Sequence, residues 1–169
     1  MNADNFNRVR TKELVSLFPG IHLRELQRLL RASFNTTRYH VHNLERDGEL
    51  VSSREGGYFR LFPVGLDPGA RSLYSVLHNR ITRQVLRTLV TGVSLTNGDI
   101  TAATSLPKST VSEHVDLLCQ TNLVRRTVTL GGGALYVIQD QARVSEALAL
   151  FERNLLAVAA DRFIDLWEF

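Results

Sequence analysis

Two stretches of this chain set hydrogen-bonding and cationic side chains at helical spacing. In Ser33–Gly48, residues Asn35, Thr36, Arg38, Tyr39, His42 and Arg46 fall outside an inward stripe of Thr37, Val41 and Leu44 at i, i+4, i+7. That outer face offers donors, acceptors and positive charge, with no carboxylate before Glu45. A helix lying in a duplex groove needs this chemistry: Arg is shaped for guanine, and polar side chains position the backbone phosphates. Phe34, at the first helical turn, is placed either to touch a thymine methyl or to pack locally. Arg54 and Arg60 flank a glycine-containing turn just downstream, within reach of phosphate or a minor groove.

The second stretch carries Lys108, Ser109, Thr110 and Ser112 at the start of another helix, where a phosphate would lie between the Lys108 charge and the helix N-terminus. Its outer face also bears Glu113 and Asp116, in register with Tyr39 and His42. Carboxylates repel phosphate, although Glu accepts a hydrogen bond from cytosine N4. The second stretch is therefore expected to be the weaker DNA reader. Ordinary solvated surface is the alternative account of these residues, and the helix-turn-helix pattern around them favours an interface.

Nothing comparable supports catalysis. The five histidines, His22, His40, His42, His78 and His114, show no metal-ligand spacing, and His40 and His42 diverge on a helix. Cys119 stands alone, which excludes an internal disulfide and suits a reducing cytosol. No glycine-rich phosphate loop, Ser/His/Asp set or carboxylate pair is legible. The expectation is a binding protein without metal or cofactor, not an enzyme.

The elements that must hold these residues follow from local signals. Ser33 is a helix N-cap and Gly48 suits the left-handed closing position. Upstream, Leu23, Leu26, Leu29 and Leu30 share one side of a short helix, and Arg31-Ala32-Ser33 has the length of a helix-turn-helix turn. Leu50–Ser53, a tip at Arg54–Gly57, and Tyr58–Phe62 read as a hairpin. A first helix is expected from near Asp4 to Phe18, with Phe6, Val9, Leu14, Leu17 and Phe18 as its apolar contacts, ended by Pro19-Gly20. Ile21-His22 suits a short third strand. Helix, helix-turn-helix and hairpin together make a winged helix.

Pro63–Gly69 is rich in breakers, and Asp67-Pro68 opens a further helix to about His78, with a break at Asn79. From Arg80 the pattern returns. Thr36, His40, Val41 and Leu44 fall on Thr110, His114, Val115 and Leu118 at an offset of 74, and Leu26 and Ile21 fall on Ile100 and Leu95. Asn122 takes the place of Gly48, and Gly131-Gly132-Gly133 stands at a second wing tip that carries no charge, with Arg125 and Arg126 on its incoming strand. Beyond Asp140, a last helix steps through Val144, Leu148, Phe151, Leu155 and Val158 as a heptad seam, continued by Ala159, Phe163, Leu166 and Trp167. Such a seam packs either on its own domain or on a second copy; an apolar tail of this size favours self-association.

Composition agrees with this reading. Of the charged residues, 1–66 hold 10 Lys+Arg against 7 Asp+Glu, 67–140 hold 7 against 5, and 141–169 hold 3 against 5. A polyanion should meet the first two thirds of the chain, not the tail. No apolar run approaches the roughly 20 residues of a membrane span, and no signal-peptide core is visible at the N-terminus. A cytoplasmic, nucleoid-associated protein is expected.

The stretch from Ser33 to Val51 resembles the helix-turn-helix of ArsR-like and MarR-like winged-helix regulators, and Leu106–Val115 resembles that motif again. Two such domains followed by one long helix resemble the tandem winged-helix transcriptional regulators common in archaea. The resemblance implies sequence-specific binding of double-stranded DNA at promoter sites by a homodimer, and so a palindromic site. Arg31 and Ser105 stand where that family usually has a turn glycine, so an altered turn is expected. The resulting expectation is a mainly α protein with small β-wings: a winged helix-turn-helix over 1–64, a linker and connecting helix over 65–79, a second winged helix over 80–140, and a dimerisation helix over 141–169. Two other classes remain open at this point: a winged-helix protein–protein module, and non-specific chromatin or RNA binding.

Overall fold

Helix α1 (Ala3–Leu17) turns Leu14 and Val15 inward, and Phe18 is buried just beyond its end. Phe6 and Val9, expected in the same core, are exposed instead. They precede the part of α1 that is covered, so the helix has a buried C-terminal half and a solvated start. The chain stops at Gly20, whose φ of 82° only glycine adopts cheaply; a Cβ there would meet Phe62 Cε1 at 3.2 Å. The computed structural model describes residues 3–165 other than Gly56, with side chains over 5–54 and 57–161.

Helices α2 (Leu23–Leu30) and α3 (Phe34–Arg46) complete a three-helix core with α1. Of the four α2 leucines only Leu26 is fully buried. Strands β1 (Leu50–Glu55) and β2 (Tyr58–Pro63) pair antiparallel, with Glu55 opposite Tyr58. Arg54 and Glu55 are thus strand residues, and the hairpin tip is shorter than the sequence suggests. Ile21 bridges to Leu61, adding the short third strand. Helix α4 (Pro68–Leu77) begins under a cap in which Asp67 Oδ1 accepts from the Ala70 N–H at 2.9 Å.

The chain divides into two compact units, Met1–Ser75 and Val76–Phe169, the boundary falling within the last turn of α4. The second unit contains α5 (Arg80–Thr91), α6 (Asn97–Thr104), α7 (Lys108–Gln120), β3 (Val124–Val128) and β4 (Ala134–Ile138), followed by α8 (Gln141–Asp165). The Asn79 side chain caps α5 by accepting from the Ile81 and Thr82 N–H groups. A reciprocal capping box between Thr96 and Asp99 opens α6. Leu95 bridges to Tyr136 as Ile21 does to Leu61. Each unit is therefore a winged helix-turn-helix, and the molecule is mainly helical with small antiparallel wings and a long C-terminal helix.

Three turn residues refine that picture. Arg31 and Ser105, one in each helix-turn-helix, have φ of 53° and 57°. The left-handed turn is kept without glycine, so the altered turn expected from the sequence does not occur; the strain of a Cβ at positive φ is carried by the packed helices around it. Asn122, at φ 56°, matches Gly48 at φ 71°.

The seam of α8 has two fates. Val144, Leu148 and Phe151 are buried within the second unit, where α8 packs on α5, and the Phe151 ring meets His78 edge-on at 5.0 Å. Further along, Leu155 and Val158 are half-buried and Leu156 is 73% exposed. The side chains of Phe163 and Ile164, together with Leu166, Trp167 and Phe169, lie outside the described residues.

Candidate nucleic-acid interface

The geometry of α3 begins at its cap. Ser33 Oγ accepts from the Thr36 N–H at 3.1 Å, and the Thr36 hydroxyl lies 2.8 Å from the same Oγ. This satisfies one of the first-turn N–H groups and holds the start of the helix. Thr37, His40, Val41 and Leu44 are buried, which forces Asn35, Arg38, Tyr39 and His42 out to solvent on the other side. Tyr39 stands edge-on to His40, ring centroids 5.3 Å apart, so a buried neighbour steadies an exposed ring. Thr36 is half-buried and occupied by its bond to Ser33.

At the other end of α3 the charges are arranged differently. Arg46 Nε contacts Asp47 Oδ1 at 3.3 Å, and Arg8 from α1 reaches Asp47 at 2.9 Å. Arg8 and Lys12 both contact Glu49, the Lys12 ammonium at 2.6 Å. Hydrogen bonds from Arg8 hold the Asp47 carboxyl below its ordinary pKa, and those from Lys12 and Arg8 do the same for Glu49. Two acids near the interface are thereby neutralised by α1, which leaves the start and middle of α3 as its electropositive part. Residues 8 and 49 are 41 positions apart, so no local pattern announces this pairing.

Wing residues divide. Arg54 is exposed, whereas Arg60 turns back and donates from Nη1 to the Gly20 carbonyl at 2.8 Å. Arg60 ties β2 to the end of α1, a bond that competes with any reach to phosphate.

In the second unit, α7 starts after Pro107 with no side-chain cap, and Lys108 and Ser109 are exposed there. Thr110 is half-buried, and Ser112 Oγ accepts from Asn97 Nδ2 at 2.8 Å, joining α7 to α6. Glu113 and Asp116 are both exposed on the outer face. His114 is buried with Nδ1 2.8 Å from the Thr82 hydroxyl, a structural contact. Cys119 is half-buried, and desolvation pushes its thiol pKa up, away from thiolate reactivity. Among the described residues, no three His, Cys, Asp or Glu side chains gather as a metal site, and no helix is long and apolar enough to cross a membrane.

Residues 5–73 match a family of N-terminal HTH domains, HTH_HVO_0163_N. The match covers the first winged helix from within α1 to the first residues of α4. No curated protein matches the chain. Among solved structures, the chain is similar to BpsR of Bordetella bronchiseptica, described for regulation of its DNA binding by 6-hydroxynicotinic acid. That likeness has 17% identity and a TM-score of 0.43, covering 54% of this chain and 72% of that one. A conserved hypothetical protein from Chlorobium tepidum is similar at 15% identity and a TM-score of 0.29, covering 80% and 92%.

Proposed function

We propose that the protein is a sequence-specific double-stranded DNA-binding transcriptional regulator whose first unit is the main reader, a reading supported by the match of residues 5–73 to a family of N-terminal HTH domains. The observation that carries this reading is the outer face of α3. Asn35, Arg38, Tyr39 and His42 are exposed together on a capped helix, while Asp47 and Glu49, just beyond its far end, are paired by Arg8 and Lys12. Arg38 is the base reader, Asn35, Tyr39, His42 and Arg46 support it, and Arg54 follows the backbone from the wing. Lys108, Ser109 and Thr110 make a weaker second contact beside Glu113 and Asp116.

A non-enzymatic, cytoplasmic and nucleoid-associated role of the archaeal tandem type fits this assignment. The protein acts as a homodimer through the second half of α8, where half-buried Leu155 and Val158 continue the seam beyond its buried start, beside the exposed Leu156. A two-fold dimer presents each reading helix twice, so the site is an inverted repeat with half-sites about 10 bp apart or a multiple of that.

Selection of the full chain on random duplexes tests the reading. Enrichment of a palindrome is the expected outcome, with specific over non-specific binding of roughly 10³ or more. Enrichment without symmetry contradicts the dimer, and no enrichment contradicts sequence-specific reading.

A further inference from the structure

The first winged helix exposes aromatic rings that its fold does not require. Phe34 is 41% exposed, Tyr58 64% and Phe59 56%. All three line one open groove between α2, the start of α3 and β2, with Leu23 as a further apolar wall. The His22 ring stands edge-on to Tyr58 at 5.5 Å, and its Nδ1–H donates to the Phe59 carbonyl at 3.2 Å. Tyr58 and the strand that carries it are thereby held in place while their rings stay in water.

The same chain supplies a control. At the offset of 74, the second unit has Thr96 and Lys108 where the first has His22 and Phe34. Aligning the bridged residues Leu61 and Tyr136 sets Tyr58 and Phe59 on Gly133 and Ala134. An intact winged helix is thus built here without any of these rings. Folding does not explain the cost of exposing them in the first unit.

Ring faces and cations together select the occupant. Arg24 is exposed on the α2 wall of the groove, and Arg54 is exposed on β1 directly opposite Phe59 in the strand register. Glu25 and Arg28 share the α2 wall and have interactions of their own, so the cations offered here are Arg24 and Arg54. Residues 1–66 hold 10 Lys+Arg against 7 Asp+Glu, which favours a polyanion at this surface. Within a duplex, neighbouring bases cover one another's faces and only base edges reach the grooves. A ring that offers its face therefore suits a base that has left the stack. We infer that Phe34, Tyr58 and Phe59, with Arg24 and Arg54, form a stacking platform for the unpaired bases of single-stranded DNA. The rings take bases with little regard to sequence, and the guanidinium groups follow the backbone. This activity is separate from duplex reading by the outer face of α3. The choice of DNA over RNA rests on the proposed function; the stacking does not.

The test measures binding of fluorescein-labelled oligothymidylate to the full chain by anisotropy, beside an abasic strand of the same length and phosphate count. Oligothymidylate should bind roughly tenfold or more tightly than the abasic strand. Phe34→Ala, Tyr58→Ala and Phe59→Ala should each lower that preference roughly three- to tenfold. Their binding of the abasic strand should stay unchanged, which separates a lost ring from a lost fold. Phe59→Trp keeps a ring and should keep the preference, and Leu130→Ala on the second wing should change nothing. Arg24→Gln should weaken both strands alike. Equal binding of the two strands by the unaltered chain, or a preference that survives all three alanine variants, would overturn the platform. So would the lack of saturable oligothymidylate binding at micromolar protein. Tighter binding of oligouridylate would overturn the assignment to DNA. A chain that selects a palindromic duplex but shows no base preference on single strands loses the platform and keeps its duplex reading. One that prefers oligothymidylate but binds no duplex keeps the platform and loses that reading.

Discussion

The two winged helices share a backbone plan and differ in what they show to solvent. α3 begins under a Ser33 side-chain cap and presents Arg38, Tyr39 and His42; α7 begins after Pro107 with no side-chain cap and presents Glu113 and Asp116. The first wing ends in charged and aromatic residues, the second in Leu130 and three glycines. Both keep the left-handed turn residue, the buried histidine and the bridge to a third strand. What is common is therefore what packing and backbone geometry demand, and what differs is free to carry function. This difference is the basis for proposing the first unit as the reader and the second as its support.

The largest effect should come from the element that only the second unit has. Phe151 is buried against His78 and under the Arg83 guanidinium, 5.5 Å from its ring centre. Phe151→Ala should cost about 3–5 kcal/mol, the usual penalty for emptying a core aromatic site. Differential scanning calorimetry should show that loss in the transition of the second unit. A loss below about 1 kcal/mol would mean that α8 is an appendage and not part of this core.

A smaller effect tests the shared turn. Arg31→Gly and Ser105→Gly each remove a Cβ from the left-handed region, a strain of about 1–2 kcal/mol, against the 0.5–1 kcal/mol entropic cost of glycine. Each should stabilise its unit by about 0.5–1 kcal/mol in urea titration. Asn122→Gly should gain less, since asparagine tolerates that conformation. Equal gains at all three would show that side-chain type does not set the strain.

The smallest effect is electrostatic and belongs to the first unit. Asp47 and Glu49 have folded pKa values lowered by Arg8 and Lys12. Their pairing thus stabilises the fold fully above the unfolded carboxylate range, about 3.9–4.3, and the gain is lost as pH falls through the lower folded values. The groups are solvent-facing, so salt should shrink the effect. Arg8→Ala should flatten the acid limb of stability against pH in the first unit; an unchanged limb would assign acid sensitivity elsewhere.

Much of this was legible in sequence because caps and periodicity act locally. Ser33, Asp67 and Asn79 mark real starts or breaks, and the offset of 74 places α2 on α6 and α3 on α7 residue for residue. Illegible features depend on distant partners. Apolar spacing shows that α8 has a buried face but not whose core covers it, so Val144, Leu148 and Phe151 read as a dimer seam although they close their own unit. The same blindness places Phe6 and Val9 in a core they do not join. Strand alternation cannot reveal that Arg60 bonds the Gly20 carbonyl.

The central assignment, reading by the first unit, is tested most directly by titrating the selected duplex with Arg38→Ala and Lys108→Ala side by side. Arg38→Ala should lose about 1–3 kcal/mol of affinity and relax preference at one base position. Lys108→Ala should weaken all sequences by a smaller, uniform factor and lower the salt slope by about 1. An unchanged dissociation constant for Arg38→Ala beside a large loss for Lys108→Ala would contradict the account and give the reading to the second unit.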